Sequence, residues 1–368
     1  MAALAGDAVR AGALGFSTSR TLNHRTSTGD FTPTLKAGED ELTAIAAAMH
    51  AQGRSVLQFV LDLSTINEDL PMMLRVAENT KIPVTFSITQ NDKEPQRWRK
   101  TFDIIHEASA RGLNITAQIP ARPVGLMLGL ELSRNPFQTH PSYKAIAHLP
   151  LTERLKRLHQ PEMRKAILGE HATATDDPLF FRPNYDKMYL LGNPPDYEQP
   201  PENTLGAQAR RQGRQAEELA YEAMLTEDGR GMLYVPFLNY SDGNLDATRE
   251  MLRDPNSVPG LSDGGAHCGI ICDASFPTYL LTHWTRDRSR GERLSIPFVV
   301  AAQARKTALS VGLYDRGVIA PGFKADINVI DTTNCTCIRR RFITTCPSAA
   351  AACCNRSTAM TLPSYPAW

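Results

Sequence analysis

Along its first 120 residues the chain alternates short apolar runs that end in polar residues with amphipathic stretches. Ala11–Ser17 is small and apolar and passes into Thr18-Ser19-Arg20, which reads as a buried strand followed by a polar loop. Glu39–Gln52 opens with acids, continues Ala-rich and stops at Gly53, the signature of a helix. Val56–Leu61 is the next strand, and Asn67–Asn79 carries Leu70, Leu74 and Ala77 on one helical face. Pro83–Ile88 is a strand ending at Thr89-Gln90. Gln96–Arg111 sets Trp98, Phe102, Ile105 and Ala108 at helical spacing before Gly112. Ile115–Ile119 is a strand, with Gln118 near its end and Arg122 just beyond. Strand and helix at this pitch predict parallel βα units.

The rhythm breaks between about residues 123 and 230. Leu151–Glu170 is helical and basic, the pattern of a solvated surface, and Asp176–Asn203 is rich in Pro, Tyr and Asn without periodicity. A long aperiodic insertion of this kind caps the mouth of a barrel. Ala216–Leu225 restores a helix, Met232–Phe237 a strand, Leu245–Leu252 a helix and Val258–Ser262 a strand. Six strands result, two short of a closed (β/α)8 barrel, so the expected fold is an incomplete TIM-type α/β barrel. Ala274–Trp284 and Ile296–Val311 read as helices. Ala325–Ile330, following the Pro321-Gly322 turn, reads as the strand of a separate small β element.

Composition narrows the class. Hydrophobic residues make up 42% and charged residues 21%, which suits a folded globular chain. A net charge of +1 gives no reason to expect a nucleic-acid or membrane partner. No apolar run is long enough to span a bilayer, and Met1–Ala8 makes a poor signal peptide, so a cytoplasmic location is the default. Five of seven cysteines lie beyond residue 334, without a C-x-x-C pair or a nearby histidine, which speaks against a zinc knot there.

The densest chemistry lies in Val258-Pro-Gly-Leu-Ser-Asp-Gly-Gly-Ala-His267. An apolar run delivers Asp263 to a flexible Gly264-Gly265 turn, as barrel enzymes present a catalytic acid or base. The blander reading is an ordinary Ser-Asp-Gly turn. His267 either orients a substrate, ligates a metal or bonds to backbone. Arg122, beyond a strand end, suits either a bidentate clamp on a substrate carboxylate or a structural ion pair. Arg20, His24 and Arg25 read as loop residues that contact substrate or solvent. Gln90 and Gln118 sit at the barrel mouth within reach of a substrate, while Cys268 and Cys272 read as buried thiols.

Three segments resemble the N-acyl-D-amino-acid deacylase (D-aminoacylase) branch of the amidohydrolase superfamily. They are Gly12–Ser19, the Val258–His267 motif with Cys272–Leu281 behind it, and Asp315–Asp331. The resemblance covers about residues 1–331. It implies a metal-dependent (β/α)8 barrel with a small β-sandwich, of which residues 313–331 would be a remnant behind a partial barrel at 1–312. It also implies hydrolysis of the amide C–N bond of an N-acyl-D-amino acid, with Asp263 as acid/base and metal ligand, zinc as the expected divalent ion, and a small-molecule substrate. The family's His-x-His does not occur in this sequence, and Thr89-Gln90 and Gln118 stand where it has histidines. The first two strands are therefore expected upstream of residue 1, and the chain is expected to be inactive by itself. A degenerate, non-catalytic barrel that binds a small ligand or a partner subunit is the alternative. Residues 332–368 depart from the family pattern and read as a disordered, frame-shifted tail.

Overall fold

The structure is a computed structural model that describes residues 1–22, 24–26, 28–61, 65–171, 183–262, 269–271, 274–337, 341–344, 351–354 and 357–358. Its eight leading strands are β1 (Gly15–Arg20), β2 (Val56–Leu61), β3 (Val84–Ser87), β4 (Ile115–Pro120), β5 (Val124–Leu128), β6 (Tyr189–Leu190), β7 (Leu233–Leu238) and β8 (Ser257–Gly260). Among the described residues, one parallel sheet has the order β1-β2-β3-β4-β8. The helices Glu39–His50, Ile66–Thr80 and Arg97–Ala110 connect its first four strands. Each helix buries one face: Leu42, Ile45, Ala46 and Met49 in the first, and Trp98, Phe102, Ile105 and Ala108 in the third. These close onto Phe59, Val84, Phe86 and Ile115 of the strands. Each fully buried Leu, Ile or Phe contributes about 1.5–3 kcal/mol, so the sheet is held by its helix contacts more than by local propensity.

The first strand lies further along the chain than its apolar run suggested. Ala2–Arg10 is helical, and residues 11–14 end that helix: Gly12 takes φ +110° and Ala13 N–H donates to the Ala8 carbonyl at 2.9 Å. The strand therefore starts at Gly15, and Arg20 is its last residue rather than a loop residue. Gly15 has no substitute at this crossing, because a Cβ there would lie 1.9 Å from the Val56 carbonyl oxygen.

A second correction concerns Met232–Phe237. This run forms β7, but it pairs antiparallel with β5 and β6 in a separate three-stranded sheet. Five of the six expected strands are thus in the parallel sheet. An unbroken apolar run fits either pairing equally well, and here the chain folds back on itself through β5. Gly125 makes room for the Tyr234 ring, whose hydroxyl donates to the Pro123 carbonyl at 2.8 Å. The insertion carries a hydrophobic core of its own, including Leu128, Phe137, Tyr143, Leu158, Ile167, Leu205, Tyr221 and Leu233. Its helices are Pro141–Ile146, Leu151–Leu158, Pro161–Gly169, Leu205–Gln212 and Ala216–Gly229.

Ala325–Ile330 is not a strand. Ile327 is 58% and Val329 71% exposed, and no described segment pairs with them; without a partner the backbone gains no ladder hydrogen bonds. Further on, Arg286 donates to the Thr333 and Cys335 carbonyls at 2.9 Å each, which holds this stretch against the body, and Cys335 and Cys337 are buried. Thr336–Cys337 pairs with Ser357–Thr358, and Arg341–Thr344 with Ala351–Cys354. No helix of the described residues is long and apolar enough to cross a membrane.

Candidate functional site

Parallel strands bring their carboxyl ends to one side of the sheet, the side on which α/β proteins bind ligands. That side collects Arg20, Gln90, Gln118, Arg122 and Ser262 from the ends of β1, β3, β4 and β8. Asp263, His267, Cys268 and Cys272 lie outside the described residues.

Arg20 is engaged within the fold. Its Nε donates to Asp69 Oδ1 at 2.6 Å and its Nη1 to the Ala37 carbonyl at 2.7 Å, while Thr65 donates to the other Asp69 oxygen. On the loop that follows, His24 Nδ1 lies 2.6 Å from Ser19 Oγ, and the Arg25 guanidinium lies 3.6 Å from the Phe31 ring centroid. Gln90 is 1% exposed. Its Nε2 donates to Asp242 at 2.6 Å, and its Oε1 accepts from Ser241 N–H at 3.2 Å. Asn239, buried and in the left-handed region at φ +60°, accepts from Gln90 N–H at 2.7 Å and donates to the Pro120 carbonyl at 3.3 Å. Gln90 and Asn239 thus tie the ends of β3, β4 and β7 together. Gln118 lies between Ser87 and Val258 in the sheet, with its Cβ packed where Gly260 has no side chain.

Arg122 is fully buried, its guanidinium 4.0 Å from the Tyr197 centroid and 4.4 Å from that of Phe276. Two aromatic faces hold this cation in place of water. Beside it lies a buried ionic network that joins elements far apart in sequence. Glu198, 2% exposed, accepts from His283 Nε2 at 2.7 Å, from Arg288 Nε at 3.1 Å and from Leu245 N–H at 2.9 Å. Arg288, equally buried, also donates to Asp246 at 2.7 Å and lies over the Trp284 ring, whose Nε1 donates to the Ala121 carbonyl at 2.7 Å. Burial pushes the Glu198 carboxyl up, but the hydrogen bonds from His283 and Arg288, with the charge of Arg288 and the Leu245 amide, outweigh it and hold the group at about 2. Tyr279 stacks on His283 with centroids 4.4 Å apart, and burial, then the charges of Glu198 and Asp196, push its phenol well up. Sequence reasoning missed this network. The one signal was an acid, Glu198, in a Pro- and Tyr-rich stretch, with the basic run Arg286–Arg293 nearly 90 residues further along.

Among the described residues, no group of three or more His, Cys, Asp or Glu side chains could hold a metal ion. The strand-end donors do not fit one either. Both ends of the Gln90 amide are engaged, and the Arg122 guanidinium places a permanent positive charge at the same mouth.

The site is thus a strand-end mouth of an α/β sheet, and Glu198 of the neighbouring insertion is tied by buried charges to His283 and Arg288. A sequence model of the amidohydrolase family matches residues 1–349. The chain belongs to the amidohydrolase family. No curated protein matches its sequence. Among solved structures, the chain is similar to a D-aminoacylase studied for its binuclear metal centre, at 18% identity and a TM-score of 0.50, covering 91% of this chain and 56% of that one. It is also similar to an N-acyl-D-glutamate deacylase from Bordetella bronchiseptica complexed with zinc and a phosphonate inhibitor, at 18% identity and a TM-score of 0.46, covering 89% and 56%. At 18% identity the likeness to the D-aminoacylase bears on the fold alone, and the chain spans a little over half the length of the structures it matches.

Proposed function

We propose that this protein is an amidohydrolase of the D-aminoacylase branch, hydrolysing linear amide C–N bonds of N-acyl-D-amino acids. The family match over residues 1–349 carries the reading. It is supported by β8, which leaves the sheet at its carboxyl end and leads through Ser262 into Asp263. In this reading Asp263 takes a proton from the attacking water. The water oxygen bonds to the acyl carbon, the C–N bond breaks, and the same proton passes to the leaving amine, giving a carboxylate and an amine. Arg122 supplies fixed positive charge beneath the mouth, favouring a substrate that carries a carboxylate. Gln118, Gln90 and Arg20 stand at the strand ends around the mouth, and His267 follows Asp263 in the same sequence motif. A divalent metal, zinc by resemblance, would polarise the carbonyl and acidify the water. Among the described residues no donor set fits one.

The test is hydrolysis of N-acetyl-D-amino acids against their L-enantiomers, with and without added zinc, by the chain and by Asp263→Asn. D-selective turnover lowered about 10²–10⁴-fold in the variant supports the assignment and overturns the expected inactivity of the chain by itself. Turnover indifferent to the substitution, or L-selective turnover, refutes the assignment. D-selective binding without turnover marks a ligand-binding scaffold instead.

A further inference from the structure

Residues 325–330 form an apolar run that the fold holds at both ends and leaves unpaired between them. On one side the Lys324 N–H donates to the Asp315 carbonyl at 2.8 Å, and the Arg305 guanidinium lies 5.3 Å from the Phe323 ring centroid. On the other, Arg286 donates to the Thr333 and Cys335 carbonyls. Between these anchors no backbone N–H or C=O bonds to another described residue. Ile327 and Val329 are both exposed and stand two positions apart, the spacing that puts side chains on one face of a strand. Tyr314, Val318 and Ile319 flank the Asp315 end of this link, and all three are exposed, Ile319 at 90%. Five of the sixteen large apolar side chains exposed among the described residues thus fall within residues 314–329. Single exposed apolar residues are ordinary, but a concentration of them beside unpaired backbone marks a surface that another chain covers.

We propose that this surface is a dimer interface, in which residues 325–330 of two copies of the chain pair as antiparallel strands across a two-fold axis at Asn328. The occupant follows from pattern and charge. In a pair centred on Asn328, Ile327 of each copy stands opposite Val329 of the other, Asp326 opposite Ile330, and Ala325 opposite Asp331. The apolar side chains then meet on one face, and no like charges oppose each other. A shift by one residue sets Asp326 against Asp331 in one direction and Ile327 against Asn328 in the other, so the sequence favours the centred register. The five apolar side chains and the strand offer on the order of 500–600 Å² per copy, or roughly 1,000–1,200 Å² in the pair, the low end of specific interfaces. Because the run is already anchored on both sides, ordering it costs little. Such a pair is a weak dimer, with a dissociation constant on the order of 10 µM. The inference does not depend on the proposed hydrolysis, since it uses none of the strand-end residues.

Sedimentation velocity of the full chain, from about 1 µM to about 200 µM, should show monomer passing into dimer. Ile327→Lys, at an exposed position with no backbone bond at stake, should leave the thermal unfolding midpoint unchanged and weaken the dimer at least about tenfold. In the double variant Ile327→Lys/Val329→Glu each new cation faces a new anion across the axis, so dimerisation should return to within about threefold of wild type. Hydrogen exchange at the amides of residues 325–330 should be slower at the high concentration than at the low one. A chain that stays monomeric throughout, or a dimer that Ile327→Lys does not weaken, overturns the proposal. Equal protection of 325–330 at both concentrations would mean that another segment of the same chain covers the run, and overturns it as well.

Discussion

Glu198→Ala should be among the most destabilising single substitutions in this protein. The carboxylate is 2% exposed and accepts hydrogen bonds from His283, Arg288 and the Leu245 amide. Its loss leaves the fully buried Arg288 with Asp246 as its remaining carboxylate partner and the Leu245 N–H without its acceptor. Breaking a buried charge pair costs about 3–5 kcal/mol, and an orphaned buried amide about 1–3 kcal/mol. Because Asp246 still holds Arg288, the lower part of the combined range applies, about 4–5 kcal/mol. That is a large share of the roughly 5–15 kcal/mol that stabilises a typical domain. Glu198→Gln keeps the shape and an acceptor for Leu245, and should lose about half as much. The pH dependence has a definite sign. The folded carboxyl, held at about 2, lies below its ordinary value of 4.5, so its contribution is complete above 4.5 and is lost as pH falls through 2. A depression of that size corresponds to about 3 kcal/mol, in line with the estimate from broken contacts. Urea unfolding followed by tryptophan fluorescence at pH 7 and at pH 3.5 checks both. The wild type should lose stability between them, and the Ala variant should show a smaller difference. An unfolding free energy for Glu198→Ala within about 0.5 kcal/mol of wild type would show that this network does not bolt the insertion to the segment after β8.

Two further substitutions separate structural ties from substrate contacts. Arg20→Met removes the partner of the buried Asp69 and should cost about 2–3 kcal/mol, part of it recovered in the Arg20→Met/Asp69→Asn double variant by urea unfolding. Purely additive losses would show that the pair is uncoupled. Tyr279→Phe deletes a buried hydroxyl that has no hydrogen-bond partner among the described residues, so thermal unfolding should find the variant unchanged or stabilised by up to about 1 kcal/mol. A loss above about 1 kcal/mol would mean that the phenol is bonded in solution.

Local signals were enough for much of the α/β frame. Val56–Leu61 and the helix from Glu39 stand where their periodicity and stop signals put them, and Gly53 and Gly112 take the positive φ that ends each helix. The Val258–His267 motif pointed to the family that the sequence model matches. Such features depend on residues within a turn or two of each other, and the sequence displays them directly. Pairing does not work that way. Leu233–Leu238 is apolar enough for a parallel strand, and its antiparallel partners were chosen by β5 and β6, more than 40 residues away for the nearer of the two. Ala325–Ile330 has strand chemistry and no strand to join. Arg20 and Gln90 carry the side chains of a binding site, yet the fold gives them Asp69 and Asp242 as partners. Glu198, His283 and Arg288 lie 85 and 90 positions apart and look unrelated in sequence. Periodicity and motif thus fixed the class of this protein, because they are local. Which charges meet, which strand ends are free, and which apolar run is left unpaired were decided by long-range contacts that only the folded chain makes.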